Sequence, residues 1–177
     1  MKISMVAVMS LNGKITRGTS SSVIDWASKA DAGSFKQILV DNPVYIMGSR
    51  TFDAVKPKPG SNKLRVILTH KPESYNMLKI PGQIEFTDDS PDEVIKDLRR
   101  RGYDKALVLG GSQIYGLFLE AGLVDDIYLT VEPLIFGSGT ELVRIIDKDL
   151  TCKLVSSKVL NEQGSLLLHY KIMGGYS

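Results

Sequence analysis

Cysteine, histidine and tryptophan are scarce in this chain: 177 residues hold one cysteine, two histidines and one tryptophan, and the formal net charge is only +2. A lone Cys152 excludes an internal disulfide and suits a reducing compartment. His70 and His169 stand apart, with no cysteine or second histidine at ligand spacing, so no metal is expected. The small net charge gives no basic field for nucleic acid. The one basic run, Arg99 to Arg101, falls at the end of an expected helix, where cations offset the dipole. No apolar run is long enough to span a bilayer. The opening MKISMVAVMSLNGK is interrupted by Ser4 and Ser10 and stops at Asn12-Gly13-Lys14 without a small-residue cleavage site. It therefore reads as a first strand rather than a leader, and a cytoplasmic location is expected. Also missing are the G-x-S-x-G elbow of serine hydrolases, the G-x-G-x-x-G dinucleotide fingerprint and the phosphate loop ending in Gly-Lys-Ser/Thr.

What is present is an alternation. Strand-like runs occupy 3–9, 44–47, 65–69, 84–86, 105–110, 126–134, 152–160 and 165–172, the last two joined by the hairpin signal Asn161-Glu162-Gln163-Gly164. The early runs are continuously apolar, as expected when helices cover both faces of a sheet. Helices are predicted over 28–40, with Phe35, Ile38 and Leu39 inward, over 50–55, over 91–101 behind the capping box Ser90-Pro91-Asp92-Glu93, and over 112–121, ending at Gly122. Strands and helices alternate, then strands alone close the chain. The fold expected is one α/β domain over 1–177, a mostly parallel central sheet with flanking helices and antiparallel C-terminal edge strands.

Two strand-to-helix junctions carry bare backbone. ALVLGGSQIYGLF (106–118) turns on Gly110-Gly111, and VYIMGSRTF (44–52) turns on Gly48 before Ser49, Arg50 and Thr51. Alone, either is a tight turn; together, on one sheet, exposed N–H groups and hydroxyls at two helix starts suit the two phosphates of a dinucleotide. A third strand ends in Thr69-His70-Lys71, beyond the carboxyl edge where ligands of such sheets bind. These groups suit an extra phosphate monoester, as on NADPH, although taken alone the run is a polar loop. Asp31 lies inside a helix three residues after Ser28, which a capping box explains. Trp26 alone reads as a core anchor and Thr130 as a β-former.

Taken jointly, these segments resemble the dihydrofolate reductase superfamily, which includes the reductase domain of the bacterial riboflavin pathway. The resemblance runs through ISMVAVMSLNGKI, W-x-x-x-x-D-x-x-x-F-K at 26–36, NPVYIMGSRTF, KPKPG at 56–60, VILT at 66–69, LVLGGSQIYGLFL at 107–119 and IYLT at 127–130. It implies a dihydrofolate reductase-like fold and an NADPH-dependent oxidoreductase, reducing 7,8-dihydrofolate in folate and one-carbon metabolism or, alternatively, a riboflavin-pathway aminopyrimidine. It implies Asp31 as the substrate-binding acid, Thr130 as the hydroxyl beside it and Trp26 as their companion. Phe35 becomes the aromatic on the substrate, with Ala7, Val8 and Val55 as apolar walls. Gly48, Ser49, Arg50 and Thr51 form the first cofactor turn. Leu109, Gly110, Gly111, Ser112, Gln113, Ile114 and Tyr115 form the second. Segment 10–24, with Ile15, resembles the loop that closes over the nicotinamide, and Thr69, His70 and Lys71 take the extra phosphate.

One position departs from the family. After Pro59-Gly60, where dihydrofolate reductases place an arginine for the substrate's glutamate carboxylate, this chain has Ser61. Lys36, Lys56, Lys58 or Lys63 are the expected substitutes, as point charges without a fork. Ser10 to Ile15 and Ala121 to Asp125 lean toward the riboflavin branch, which makes a homodimer as acceptable as a monomer, whereas Trp26, Asp31 and Thr130 form the pterin set.

Overall fold

The computed structural model describes residues 1–176 apart from Ser21, Ser61 and Ile145. Eight strands form one sheet: β1 (Lys2–Ser10), β2 (Val44–Gly48), β3 (Leu64–Leu68), β4 (Ile84–Thr87), β5 (Lys105–Val108), β6 (Asp126–Glu132), β7 (Asp149–Val159) and β8 (Leu166–Tyr176). Their spatial order is β4-β3-β2-β5-β1-β6-β8-β7. The first six run parallel, and β8 and β7 join antiparallel at one side. This is the expected mostly parallel sheet with an antiparallel C-terminal edge.

The helices are α1 (Lys29–Val40), α2 (Ser49–Val55), α3 (Pro91–Arg100) and α4 (Ser112–Glu120). Alternate residues of the central strands feed two cores. Val44 and Ile46 pack with Leu98 of α3 and Phe118 of α4 on one face. Tyr45 and Met47 pack with Phe35 and Leu39 of α1 and Phe52 of α2 on the other. Both faces of β2 are covered, which is why its sequence is continuously apolar rather than alternating. The capping box of α3 closes as the sequence predicts, Ser90 Oγ accepting from Glu93 N–H and Glu93 accepting from Ser90 N–H at 2.9 Å.

Two local differences follow from tertiary context. Residues 72–78, read as loop, form a 3-10 turn with proline at its start. It is held where Tyr75 stacks on Phe86 with centroids 4.6 Å apart. The run at 105–110 leaves the sheet after Val108, because Leu109 and Gly110 already belong to the turn. No helix among the described residues is long and apolar enough to cross a membrane.

Candidate active site

A cavity of about 1080 Å³ opens beyond the carboxyl ends of β1, β2, β3 and β5. The two glycine turns lie side by side on its wall. Gly48 N–H donates to Gly110 O at 2.8 Å, tying one to the other. A Cβ on Gly48 would stand 3.0 Å from Ile114. One on Gly110 would sit 2.7 Å from the Tyr115 ring, at a φ of +95°. That ring is held by its hydroxyl, which donates to Val6 O at 2.6 Å. Glycine is therefore needed twice, once for close approach and once for backbone conformation as well. The N-terminus of α4 opens toward the cavity through Gly111, Ser112 and Gln113. Ser112 Oγ is buried there and finds no partner among the described residues. An orphaned hydroxyl at a helix start, beside a glycine cradle, fits a phosphate oxygen.

Gly48, Ser49, Arg50 and Thr51 line the same cavity, as do Leu109, Ile114 and Tyr115 of the second turn, and Ile15 and Thr16. Thr69, His70 and Lys71 line one end with Arg50, and so do Asp88 and Asp89. These two acids, in a polar stretch before α3, carried no sequence signal. The segment carrying Ile15, drawn from the sequence as a closing loop, is laced to residues 134–142. Ile15 N–H donates to Thr140 O at 2.8 Å and Gly18 N–H to Ser138 O at 2.9 Å. Ser21, within that loop, lies outside the described residues.

The opposite end is apolar with one acid in it. Ala7, Val8, Phe35, Leu39 and Val55 form the walls, and Asp31 is buried among them. The capping-box account of Asp31 is half right. Asp31 N–H donates to Ser28 Oγ at 3.1 Å, yet the returning bond is not made by Asp31. Ser28 N–H donates instead to Glu132 Oε1 at 2.9 Å. Aspartate is one methylene shorter than the glutamate that closes the box at Ser90, and Glu132 arrives from another strand to do it. The Asp31 carboxyl is left free to meet the Thr130 hydroxyl. Burial pushes it above the ordinary aspartate range; the Thr130 hydrogen bond opposes this, and the negative charge of Glu132 adds to it.

Some nominated residues lie elsewhere. Thr130 is buried behind Asp31 rather than on the cavity wall. Trp26 is buried, edge-on to Phe136 with centroids 5.1 Å apart, and its Nε1 has no partner among the described residues. Lys36, Lys56 and Lys58 are exposed and do not line the cavity. Lys63 is turned away: its ammonium donates to the carbonyls of Leu39, Val40 and Asn42 at 3.0, 2.8 and 2.8 Å, closing the C-terminus of α1. The expected lysine substitutes are thus all displaced, and Ser61 itself lies outside the described residues. A cation that does line the cavity is Arg65, its guanidinium 6.0 Å from the Tyr45 ring and one Nη1–H donated to Lys63 O at 3.0 Å. A charged residue inside an apolar strand was the available signal.

The model of the RibD C-terminal domain matches residues 1–165 of the chain. The bifunctional dihydrofolate reductase-thymidylate synthase of Paramecium tetraurelia is 28% identical over 72% of this chain, which spans only 25% of that enzyme. The 2,5-diamino-6-ribosylamino-4(3H)-pyrimidinone 5′-phosphate reductase of Methanothermobacter thermautotrophicus is 24% identical, covering 95% of this chain and 96% of its own. Among solved structures, a putative riboflavin biosynthesis protein from Shewanella sp. PV-4 superposes with a TM-score of 0.77 at 18% identity, over 98% of this chain and 100% of that one. Dihydrofolate reductase from Enterococcus faecalis, complexed with NADP(H), gives 0.72 at 18% identity, over 98% and 97%. At these identities the structural likeness establishes the fold.

Proposed function

The chain belongs to the RibD C-terminal domain family, and from that premise we propose that it is an NADPH-dependent reductase of a ribosylamino-pyrimidinone phosphate. The observation that carries this reading is the Asp31 carboxyl: buried, released from helix capping, and set in the apolar end of a cavity whose other end is a double glycine turn. A 2-amino-4-oxopyrimidine ring offers an amino group and a ring N–H side by side, and one carboxyl group can accept from both. Low polarity around Asp31 strengthens that pair, and the carboxylate so placed steers protonation of a neighbouring nitrogen. Phe35 and Leu39 cover the ring's face, and Val55 closes the side. The residues around Gly48 and Gly110 fit a dinucleotide: Gly111, Ser112 and Thr51 would hold its pyrophosphate, and Arg50 with Lys71 the further phosphate that distinguishes NADPH. The bound nicotinamide supplies the hydride. Ile15 and Thr16, on the cavity wall, exclude water from it.

A second reading, reduction of 7,8-dihydrofolate, is favoured by the juxtaposition of Asp31 with Thr130, two members of the pterin set. Both substrates share the ring that Asp31 would grip. NADPH oxidation measured side by side with 2,5-diamino-6-ribosylamino-4(3H)-pyrimidinone 5′-phosphate, its uracil counterpart and dihydrofolate separates them. The diaminopyrimidinone is expected to be fastest. The uracil counterpart, with a carbonyl where the amino group stood, loses a donor to Asp31 and is expected to be slower. A dihydrofolate rate about tenfold above the others selects the second reading, and oxidation with none of the three removes both.

A further inference from the structure

Glu132 is 2% exposed and is held by groups from two other parts of the chain. Its Oε1 accepts the backbone N–H of Ser28, at the N-terminus of α1, at 2.9 Å. Its Oε2 accepts the hydroxyl of Ser165, just before β8. Ser165 is fixed in turn, its Oγ accepting from Asn161 Nδ2 at 2.8 Å and its N–H donating to Asn161 Oδ1 at 3.0 Å across the β7–β8 turn. Two residues earlier on the same face of β6 stands Thr130, whose hydroxyl meets Asp31. We propose that Glu132 is a positioning residue for Asp31: it clamps the first turn of α1 to β6, so that the Asp31 carboxyl is presented to substrate at a fixed place beside Thr130. The inference rests on the reading of Asp31 as the substrate-binding acid.

The contrast with α3 gives the reason for an acid here. At Ser90 the box is closed by Glu93 of the helix itself, and that carboxylate is then unavailable for anything else. At Ser28 the same backbone donor is satisfied from across the sheet, which frees Asp31 for the cavity. A glutamine can keep the Ser28 contact through its amide oxygen, while its amide nitrogen donates to Ser165 Oγ in place of accepting from it, so the clamp on α1 is retained at the cost of the Ser165 hydroxyl's acceptor. What a glutamine lacks is the charge. A buried carboxylate near a second buried carboxyl is costly to keep if only shape is needed. Placed here, it biases Asp31 toward its protonated form, in the same direction as burial, while the Thr130 hydroxyl opposes both. Thr130 and Glu132 on β6 are the polar groups that act on the Asp31 side chain from a packed element; Ser28, on its own helix, holds only its backbone N–H.

Glu132→Gln tests the charge and Glu132→Ala tests the clamp. The carboxyl carbon of Asp31, labelled with 13C and assigned by its loss in Asp31→Asn, is titrated by NMR in each protein, a readout that needs no turnover. In Glu132→Gln the Asp31 midpoint is expected to fall by about half a pH unit or more, and the pH dependence of kcat/KM to move with it. KM at neutral pH is expected to stay within about twofold of the native value. In Glu132→Ala the freed Ser28 N–H loosens the turn, and KM is expected to rise about tenfold or more. An Asp31 midpoint unmoved in Glu132→Gln, or a native KM in Glu132→Ala, overturns the inference. If Glu132→Gln does not fold, Glu132→Asp takes its place: it keeps the charge but is too short to reach both donors. Its expected signature is a near-native Asp31 midpoint with a raised KM, and native values for both overturn the proposal. A shifted midpoint in a protein that oxidises NADPH with no pyrimidine or pteridine would sustain the positioning role and refute the proposed function instead.

Discussion

Burial holds the Asp31 carboxyl above the ordinary aspartate range, so the folded chain binds that proton more tightly than the unfolded chain does. As pH rises past about 4, the unfolded value, ionisation of Asp31 lowers stability, and the loss is complete once pH exceeds the folded value. Asp31→Asn removes this titration. It is expected to melt above the native protein at pH 7, with the difference closing below about pH 4, while turnover falls at least about a hundredfold with NADPH affinity retained. Melts across pH and steady-state rates check the two halves, and a variant that turns over normally would return Asp31 to the role of a simple helix residue. Arg65 makes the second residue-scale case. Arg65 lines the cavity, whereas Lys63 is engaged by α1 carbonyls. A planar fork grips a phosphate in a way that a screened surface lysine does not. Arg65→Met is therefore expected to raise KM about tenfold for a phosphate-bearing substrate and to leave the dephosphorylated substrate nearly unaffected. Equal losses for both would take Arg65 out of substrate binding.

At the scale of elements, the β5–α4 turn leaves no room for a side chain at Gly110. A Cβ on Gly110 would meet the Tyr115 ring at 2.7 Å, and that ring cannot retreat because its hydroxyl is bonded to Val6 O. Gly110→Ala is expected to cost about 1–3 kcal/mol in stability and to weaken NADPH about tenfold or more by displacing the α4 N-terminus, measured by denaturation and by cofactor titration. The start of β6 is set differently. Burial works to raise the Asp126 carboxyl, but hydrogen bonds from His169, with Nε2 at 2.5 Å, and from Lys2, with Nζ at 3.1 Å, outweigh it and hold the group below its ordinary range. A depressed carboxyl contributes stability above its unfolded value, and that contribution disappears as pH falls through the folded value. Asp126→Asn should thus melt lower than the native protein at pH 7, and the gap should close below about pH 4. A gap that persists in acid would assign the loss to shape rather than charge. The cluster lies where β1, β6 and β8 meet, so it ties the antiparallel edge to the parallel sheet.

Across the whole molecule, one cavity spans the carboxyl ends of four parallel strands, and its occupation should register as global stability. On the proposed function, NADPH at a hundred times its Kd is expected to stabilise the fold by about 2.7 kcal/mol, or about 5–10 °C for a chain of this size. Replacing Arg50 and Lys71 together by methionine is expected to remove most of the NADPH shift and little of the NADH shift; equal loss for both would move these residues out of the phosphate site. The alternation of apolar runs with glycine-marked helix starts determined most of the strands and helices, the α/β class and the two glycine turns on the cavity wall. Those features depend on periodicity and on φ, which neighbouring residues decide among themselves. The lacing of segment 10–24 to residues 134–142 was not legible, since the two segments are over a hundred positions apart. Likewise, the order β2-β5-β1 brings Gly48 against Gly110, and no local pattern encodes that adjacency. Arg65 and Lys63 are two positions apart and equally basic in sequence; only the packing of α1 against the start of β3 gives the Lys63 ammonium to the carbonyls at the end of α1 and leaves Arg65 to line the cavity. The same holds for the acids. Ser28 and Asp31 carry the spacing of a closed capping box, but whether Asp31 closes it depends on Glu132, 104 residues beyond Ser28. Sequence placed Asp31 in the first turn of a helix, and the packing of β6 against that turn left its carboxyl free.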